Sequence, residues 1–279
     1  MAVDISVVIP TYRRNRELAE AIASVRAQAD ATVEVLVVDD CPDGGAKPVV
    51  ESLRDPRIEY LRNPHPTGGV PSVVRNLAWP RACGRFVHFL DDDDIVPADH
   101  YAAVVAAFAR RPDVGLIFGR IEPFGRGPEA QLRHERRFFA EAARTATMCA
   151  RFGPRFAFAG QMLFDLPLLV CSASVARREC VVGVGGFDPG IRLMEDADYH
   201  LRVIRTYGAC FLDRVTLNYR IGFPSLMHAP NAPPEQLRLQ REGRRRMRLK
   251  YRRDHGASEF YALALFARAL RIARHKRVS

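Results

Sequence analysis

No apolar run in the 279 residues approaches the roughly 20 needed to span a bilayer. The start, MAVDISVVIP, has no basic stretch ahead of a long apolar segment, so a secretory leader is not expected. The six cysteines form no C-x-x-C pair and sit mostly in apolar text. They are expected to be free, largely buried thiols of a reducing compartment, not a zinc site or disulfide framework. No G-x-G-x-x-G follows the first apolar run, and no G-x-x-x-x-G-K-[ST] or G-x-S-x-G occurs. These absences disfavour a dinucleotide dehydrogenase, a P-loop NTPase and an α/β-hydrolase. Internal repeats and low-complexity segments are missing too. With 48% hydrophobic residues the chain can bury a core. A soluble, cytoplasmic protein is expected.

The charge excess lies at one end. The net charge is +10, yet 14 of the 42 Lys and Arg and only 4 of the 32 Asp and Glu lie from Glu235 onward. The remainder is neutral.

What the chain does have is alternation. Short β-branched runs at 5–9, 33–38, 57–61, 85–90 and 114–118 read as strands. Helical spacing lies between several of them, as in Leu18, Ala21, Ile22 and Val25, and a helix is expected from about Asp99 to Arg111. Another strand is expected within 168–180 and a further helix from near Glu195. Residues 119–166 are less regular and suggest an inserted helix with a mobile loop. Strands alternating with helices imply an α/β fold, a doubly wound and mostly parallel twisted sheet flanked by helices. Ligands of such sheets sit beyond the carboxyl ends of the strands. The PTYRR loop, Asp39-Asp40 and the run Asp91–Asp94 all fall at such ends.

Four consecutive aspartates behind an apolar run are unusual because adjacent carboxylates raise one another's pKa. A solvated turn capping the next helix needs only one or two. A divalent cation resolves the repulsion, and Mg2+ or Mn2+ takes one or two carboxylates completed by phosphate and water. A site of that kind suits a diphosphate substrate.

The segments SVVIPTYRR, VEVLVVDDCPDGG, RNLAWPRACGRFVHFLDDDD and VGGFDPGIRLMEDADYHLRV occur in that order. Together they resemble the family 2 inverting glycosyltransferases over roughly residues 4–222. The resemblance implies the GT-A nucleotide-sugar-binding fold for residues 1–222, with a basic, largely helical extension at 223–279. Residue by residue, it implies that Pro10, Thr11 and Tyr12 pack on the nucleotide base and that Asp39 accepts a hydrogen bond from it. Arg75 would face the sugar nucleotide. Asp91 and Asp93 match the D-x-D, with Asp93 the direct Mn2+ or Mg2+ ligand and Asp91 reaching ribose, sugar or metal. Asp92 fills the variable nucleotide-side position, and Asp94 would be a supporting acid or helix cap. Asp196 matches the catalytic base and Glu195 an acceptor-binding residue, while Asp198 would point elsewhere. Gly185-Gly186 would admit the donor sugar, and His228 lies where some relatives place a further metal ligand. Arg13 departs from the pattern, since many relatives carry Asn there.

The implied activity is metal-dependent inverting transfer of a sugar from a nucleoside diphosphate, UDP or dTDP, to a hydroxyl of a glycan, a lipid-linked intermediate or a small natural product. Two other readings stay open: a nucleotidyltransferase of related fold, and a non-catalytic nucleotide-sugar-binding adaptor at a membrane. The arginine-rich stretch 236–256 reads as too charged for a core element. Behind it Leu263, Phe266, Leu270 and Ala273 share a helical face opposite Arg268, Arg271 and His275. Such a helix suits either peripheral contact with the anionic inner face of the membrane or packing on the domain. With few interleaved aromatics, specific nucleic-acid recognition is not expected.

Overall fold

The structure, a computed structural model, describes residues 3–165, 167–222 and 233–275. Among these residues one seven-stranded sheet forms in the order β3-β2-β1-β4-β6-β5-β7. Its first half is β1 (Ile5–Thr11), β2 (Val33–Asp39), β3 (Ile58–Arg62) and β4 (Phe86–Phe89), all parallel. β1 and β2 are buried on both faces, which explains their unbroken apolar text. Helices α1 (Asn15–Arg26), α2 (Lys47–Ser52), α3 (Pro71–Ala78) and α4 (His100–Arg110) make the crossovers. Leu18, Ala21, Ile22 and Val25 form the buried stripe of α1, as their spacing requires.

The second half is β5 (Leu116–Gly125), β6 (Ser174–Arg177) and β7 (Ala209–Ile221). β6 runs against both β4 and β5, while β5 and β7 are parallel. Reversal of β6 brings the segment that enters it to the carboxyl ends of β4 and β5. There the Asp91 amide donates to Ser172 Oγ at 3.0 Å.

The interval 119–166 differs from the expected irregular insertion. It completes β5 and then forms α5 (Glu129–Ala150) and α6 (Phe156–Phe164). In α5 the inward positions include Glu135, Ala142, Thr145 and Ala146 beside Phe139, so small and polar residues mask the helical stripe. Next come α7 (Arg178–Val184) and α8 (Glu195–Tyr207). Gly186, at φ +66°, lies where a Cβ would come within 2.3 Å of Trp79 Nε1. Its bareness admits that packing.

The basic end is also more integrated than its composition suggests. α9 (Pro234–His255) buries Gly243, Met247 and Tyr251. α10 (Ala257–His275) turns Leu263, Ala267 and Leu270 inward, and Leu263 and Ala267 lie at Gly160 of α6. Ion pairs reinforce the contact: Lys250 reaches Asp188 at 3.2 Å and Asp198 at 3.4 Å, and Arg205 meets Glu259 at 2.6 Å. α9 thus braces the 188–198 segment that opens α8. Its closest approach is at Gly243, where a Cβ would stand 2.1 Å from the Leu193 carbonyl oxygen. Gly243→Val should therefore push α9 off this segment and cost about 1–3 kcal/mol. Thermal denaturation checks this, and an unchanged melting temperature would show that the brace is not closely packed.

Candidate active site

A cleft of about 330 Å3 opens at the carboxyl ends of β1, β2 and β4. That is within the range of small-ligand sites. One wall is the β1 exit, where Pro10, Thr11 and Tyr12 all line the cleft. Tyr12 carries the Arg13 guanidinium over its ring at 5.2 Å, and its ring packs at Gly69. Arg13 has φ +58°, a left-handed conformation that asparagine tolerates better than arginine.

Asp39 does not occupy the place expected of it. It is fully buried, with Oδ1 accepting from the Cys41 amide and Oδ2 from the Ala46 amide and the Tyr60 hydroxyl. These bonds shape the 40–46 turn behind the wall. Its neighbour Asp40 lines the cleft instead. Asp40 gathers the 63–69 loop by accepting from Asn63 Nδ2 (2.6 Å), the Thr67 amide and hydroxyl, and the Gly69 amide (2.6 Å). Burial opposes its charge, but the bonds from Thr67 and Gly69 prevail and lower its pKa.

The four aspartates meet different sets of partners, with Arg14 shared between Asp92 and Asp93. Asp91 Oδ1 accepts from Arg75 at 2.6 Å. Asp92 is buried outside the cleft lining, so the nucleotide contact expected of it gives way to a structural one. It accepts from the Thr11 hydroxyl at 2.7 Å and the Tyr12 amide at 3.3 Å, pinning the β1 loop. Asp93 lines the cleft and accepts from Arg14 at 2.6 Å. Asp94 is buried and accepts from the Arg220 amide at 3.0 Å, while Arg220 Nε donates to the Asp93 carbonyl. Burial, with Asp91 and Asp92 adding to it against Arg14, pushes Asp93 up to about 7. Burial and the adjacent Asp93 raise Asp94 well above the usual carboxylate range.

Opposite the acidic turn, Glu195 and Asp196 open α8 and both line the cleft. Arg75, 3% exposed, joins the two walls: one nitrogen donates to Asp91 and the other to Glu195 Oε1 at 2.9 Å. Burial and the Asp196 charge outweigh that contact and lift Glu195 to about 7. Asp196 is raised as well, chiefly by burial. One Asp196 oxygen accepts the Ala197 amide at 2.7 Å, and among the described residues the other meets no donor. Asp198 turns away to Arg202 (2.7 Å) and Lys250, as expected.

Most of the residues singled out in the sequence therefore meet at one cleft: Pro10, Thr11, Tyr12, Arg75, Asp91, Asp93, Glu195 and Asp196. Asp39 and Asp92 stand behind it, and His228 lies outside the described residues. Asp40, in the Asp39-Asp40 pair, and Arg14, in the PTYRR loop, fall at the strand ends where ligands are expected, but the sequence assigned them no role. Gly69 and Arg220 were not singled out, and nothing marked Arg220.

Among the described residues no group of three or more His, Cys, Asp and Glu forms a metal cage. Asp91 and Asp93 nonetheless make a two-carboxylate donor set on the cleft wall. Such a set fits Mg2+ or Mn2+ when diphosphate and water supply the other ligands.

Comparison with known proteins agrees with this architecture. The model of the family "Glycosyl transferase family 2" matches residues 6–180, more than half of the chain. The chain belongs to that family, and its fold is the GT-A fold. A GalNAc(5)-diNAcBac-PP-undecaprenol beta-1,3-glucosyltransferase of Campylobacter jejuni is 39% identical over 92 residues, 32% of this chain and 29% of that protein. The Escherichia coli UDP-Glc:alpha-D-GlcNAc-diphosphoundecaprenol beta-1,3-glucosyltransferase WfgD is 30% identical over 118 residues, 42% of this chain and 46% of WfgD. The matches thus span less than half of either relative. Among solved structures, S. aureus TarS 1-349 with UDP-GlcNAc superposes with a TM-score of 0.66 at 19% identity, covering 99% of this chain and 73% of that one. The mannosyltransferase PcManGT from Pyrobaculum calidifontis, in complex with GDP-Man and Mn2+, gives 0.62 at 18% identity, with 98% and 71% covered. At these identities the likeness is one of fold.

The Glu195 environment has a measurable sign. Its folded pKa of about 7 exceeds the ordinary 4.5, so between those values the folded chain binds the extra proton. Its contribution to stability is greatest below about pH 4.5 and falls as pH rises towards 7. Glu195→Gln should therefore shrink the change in melting temperature between pH 5 and pH 8. An unaltered pH profile would show that Glu195 is not held in this state.

Proposed function

We propose that the protein transfers a sugar from a nucleoside diphosphate to an acceptor hydroxyl with inversion at the anomeric carbon, assisted by Mn2+ or Mg2+. The observation that carries this reading is one cleft presenting an aromatic face at Tyr12, paired carboxylates at Asp91 and Asp93, and a carboxylate with an open oxygen at Asp196. Tyr12 offers stacking area to a base. Asp91 and Asp93 would hold the cation, which when bound neutralises charge on the departing diphosphate. Arg75 orients Asp91 and Glu195 in one rigid unit. As the acceptor oxygen attacks the anomeric carbon, its bond to the diphosphate breaks and the hydroxyl proton passes to Asp196. A buried carboxyl with a raised pKa suits that role near neutral pH. UDP-sugars and GDP-mannose are both candidate donors, because the structural neighbours named above bind one or the other.

For the acceptor we favour a lipid-linked diphosphate glycan, since both glucosyltransferases named above act on undecaprenol-linked substrates. Among the described residues no helix is long and apolar enough to cross a membrane. The surface offers a peripheral route instead. Leu263 and Leu270, earlier candidates for membrane contact, face inward. A different face of α10 exposes Tyr261 (54%), Leu265 (68%) and Ile272 (50%). Phe152 (55%) joins them through its ring contact with Phe266 at 5.1 Å. Arg268 and Arg271 on α10, and Arg241, Arg244 and Arg245 on α9, form no ion pair among the described residues. Exposed apolar residues on a helix that also carries Arg268 and Arg271, next to a basic helix, suit an anionic bilayer.

Two measurements test these readings. Asp196→Asn should bind donor normally yet lose roughly 100- to 10,000-fold in turnover. Nucleotide-sugar hydrolysis by both forms checks this, and near-normal turnover would remove Asp196 as the base. Leu265→Glu with Ile272→Glu should weaken sedimentation with anionic liposomes about tenfold at unchanged melting temperature. Equal sedimentation would leave α10 a bracing element only.

A further inference from the structure

Arg14 stands in a place that the transfer chemistry leaves unexplained. It lines the cleft, and its Nη1 lies 2.6 Å from Asp93 Oδ2 and 3.1 Å from Asp92 Oδ1. Its side chain is 32% exposed and that of Asp93 18%, whereas Asp92 is only 6% exposed. The contact with Asp93 is therefore accessible from the cleft, whereas the one with Asp92 is sealed. Asp92 also holds the Thr11 hydroxyl and the Tyr12 amide, which fixes the backbone from which Arg14 projects. A guanidinium tethered there covers one oxygen of the carboxylate that would hold the cation. It also lies one short swing from any phosphate entering beside Asp91.

We propose that Arg14 is the resident counter-ion of the acidic turn: it occupies Asp93 while the cleft is empty, yields that carboxylate when a cation-bound diphosphate enters, and then pairs with the diphosphate. The proposal rests on the metal-assisted reading above. Two physical points support it. Mg2+ and Mn2+ gain little from one or two carboxylates until phosphate oxygens join them, so an internal cation can compete with the bare ion. Arginine also pairs with phosphate as readily as with carboxylate, through the same planar fork. Exchange of one partner for the other keeps its charge satisfied throughout. In consequence, cation and nucleotide would bind cooperatively, because neither alone displaces Arg14 well.

Manganese binding followed by electron paramagnetic resonance of the free ion, with and without UDP, tests this without any turnover. Wild type, Arg14→Gln, Arg14→Met, Arg14→Lys and Asp93→Ala would be compared, each checked for folding by circular dichroism. The expected result is that Arg14→Gln binds Mn2+ alone about tenfold more tightly than wild type, the effect of removing a competing charge worth about 1.4 kcal/mol. With Mn2+ saturating, the same variant should bind UDP more weakly. Arg14→Lys keeps the charge and should resemble wild type for the bare ion, while Arg14→Met, neutral and of similar length, should match Arg14→Gln and carries the test if Arg14→Gln does not fold. Equal Mn2+ affinity in Arg14→Gln and wild type, with binding lost in Asp93→Ala, would overturn the counter-ion proposal and leave the metal assignment standing. Binding of Mn2+ by none of the proteins, with or without UDP, would overturn both.

Discussion

The cleft depends on one buried guanidinium. Arg75 ties Asp91, at the end of β4, to Glu195, at the start of α8, across a sequence separation of 120 residues on the Glu195 side. Its planar fork presents separate nitrogens to the two acids, which a lysine ammonium would not do with the same geometry. Without that cation, two carboxylates in a low-dielectric wall would lose their common partner. Loss of one member of a buried ion pair usually costs about 3–5 kcal/mol. One side chain thus links the acidic turn directly to the helix start that carries Asp196.

The acidic run reads differently once its neighbours are seen. Repulsion among four adjacent carboxylates suggests that a metal ion must complete the turn, yet the protein supplies much of the compensation itself. Arg75 takes Asp91, Arg14 takes Asp92 and Asp93, and the Arg220 amide takes Asp94. Only part of the burden remains, seen in the raised pKa values of Asp93 and Asp94. A cation entering here meets a site already partly neutral, which favours one that arrives with the negative charge of a diphosphate.

Much of the architecture was legible because central parallel strands bury both faces and so spell unbroken apolar runs, as β1 and β2 do. β7 was not legible: it is an edge strand, its Asp213 and Arg214 are exposed, and β5 is its one partner strand, supplemented by a single bridge from Ile95 to Asn218. α5 was hidden for a related reason, since Ala, Thr and Glu fill most of its inward stripe. Within the site, the order of motifs identified the right loops but not always the right side chain. Asp39 and Asp40 are adjacent and chemically alike, and only the three-dimensional course of the strand decides which one meets the cleft. Arg13 and Arg14 pose the same problem: one lies over Tyr12 while the other reaches acids 78 and 79 residues away.

The junction at Gly243 separates two duties within one helix. α9 meets the 188–198 segment through a bare backbone position at Gly243 and through Arg246 and Lys250. The outward arginines at 241, 244 and 245 take no part in it. That outer face is consequently open to redesign: its charge pattern can be rewritten to redirect the molecule to a different surface while the reaction centre stays as it is.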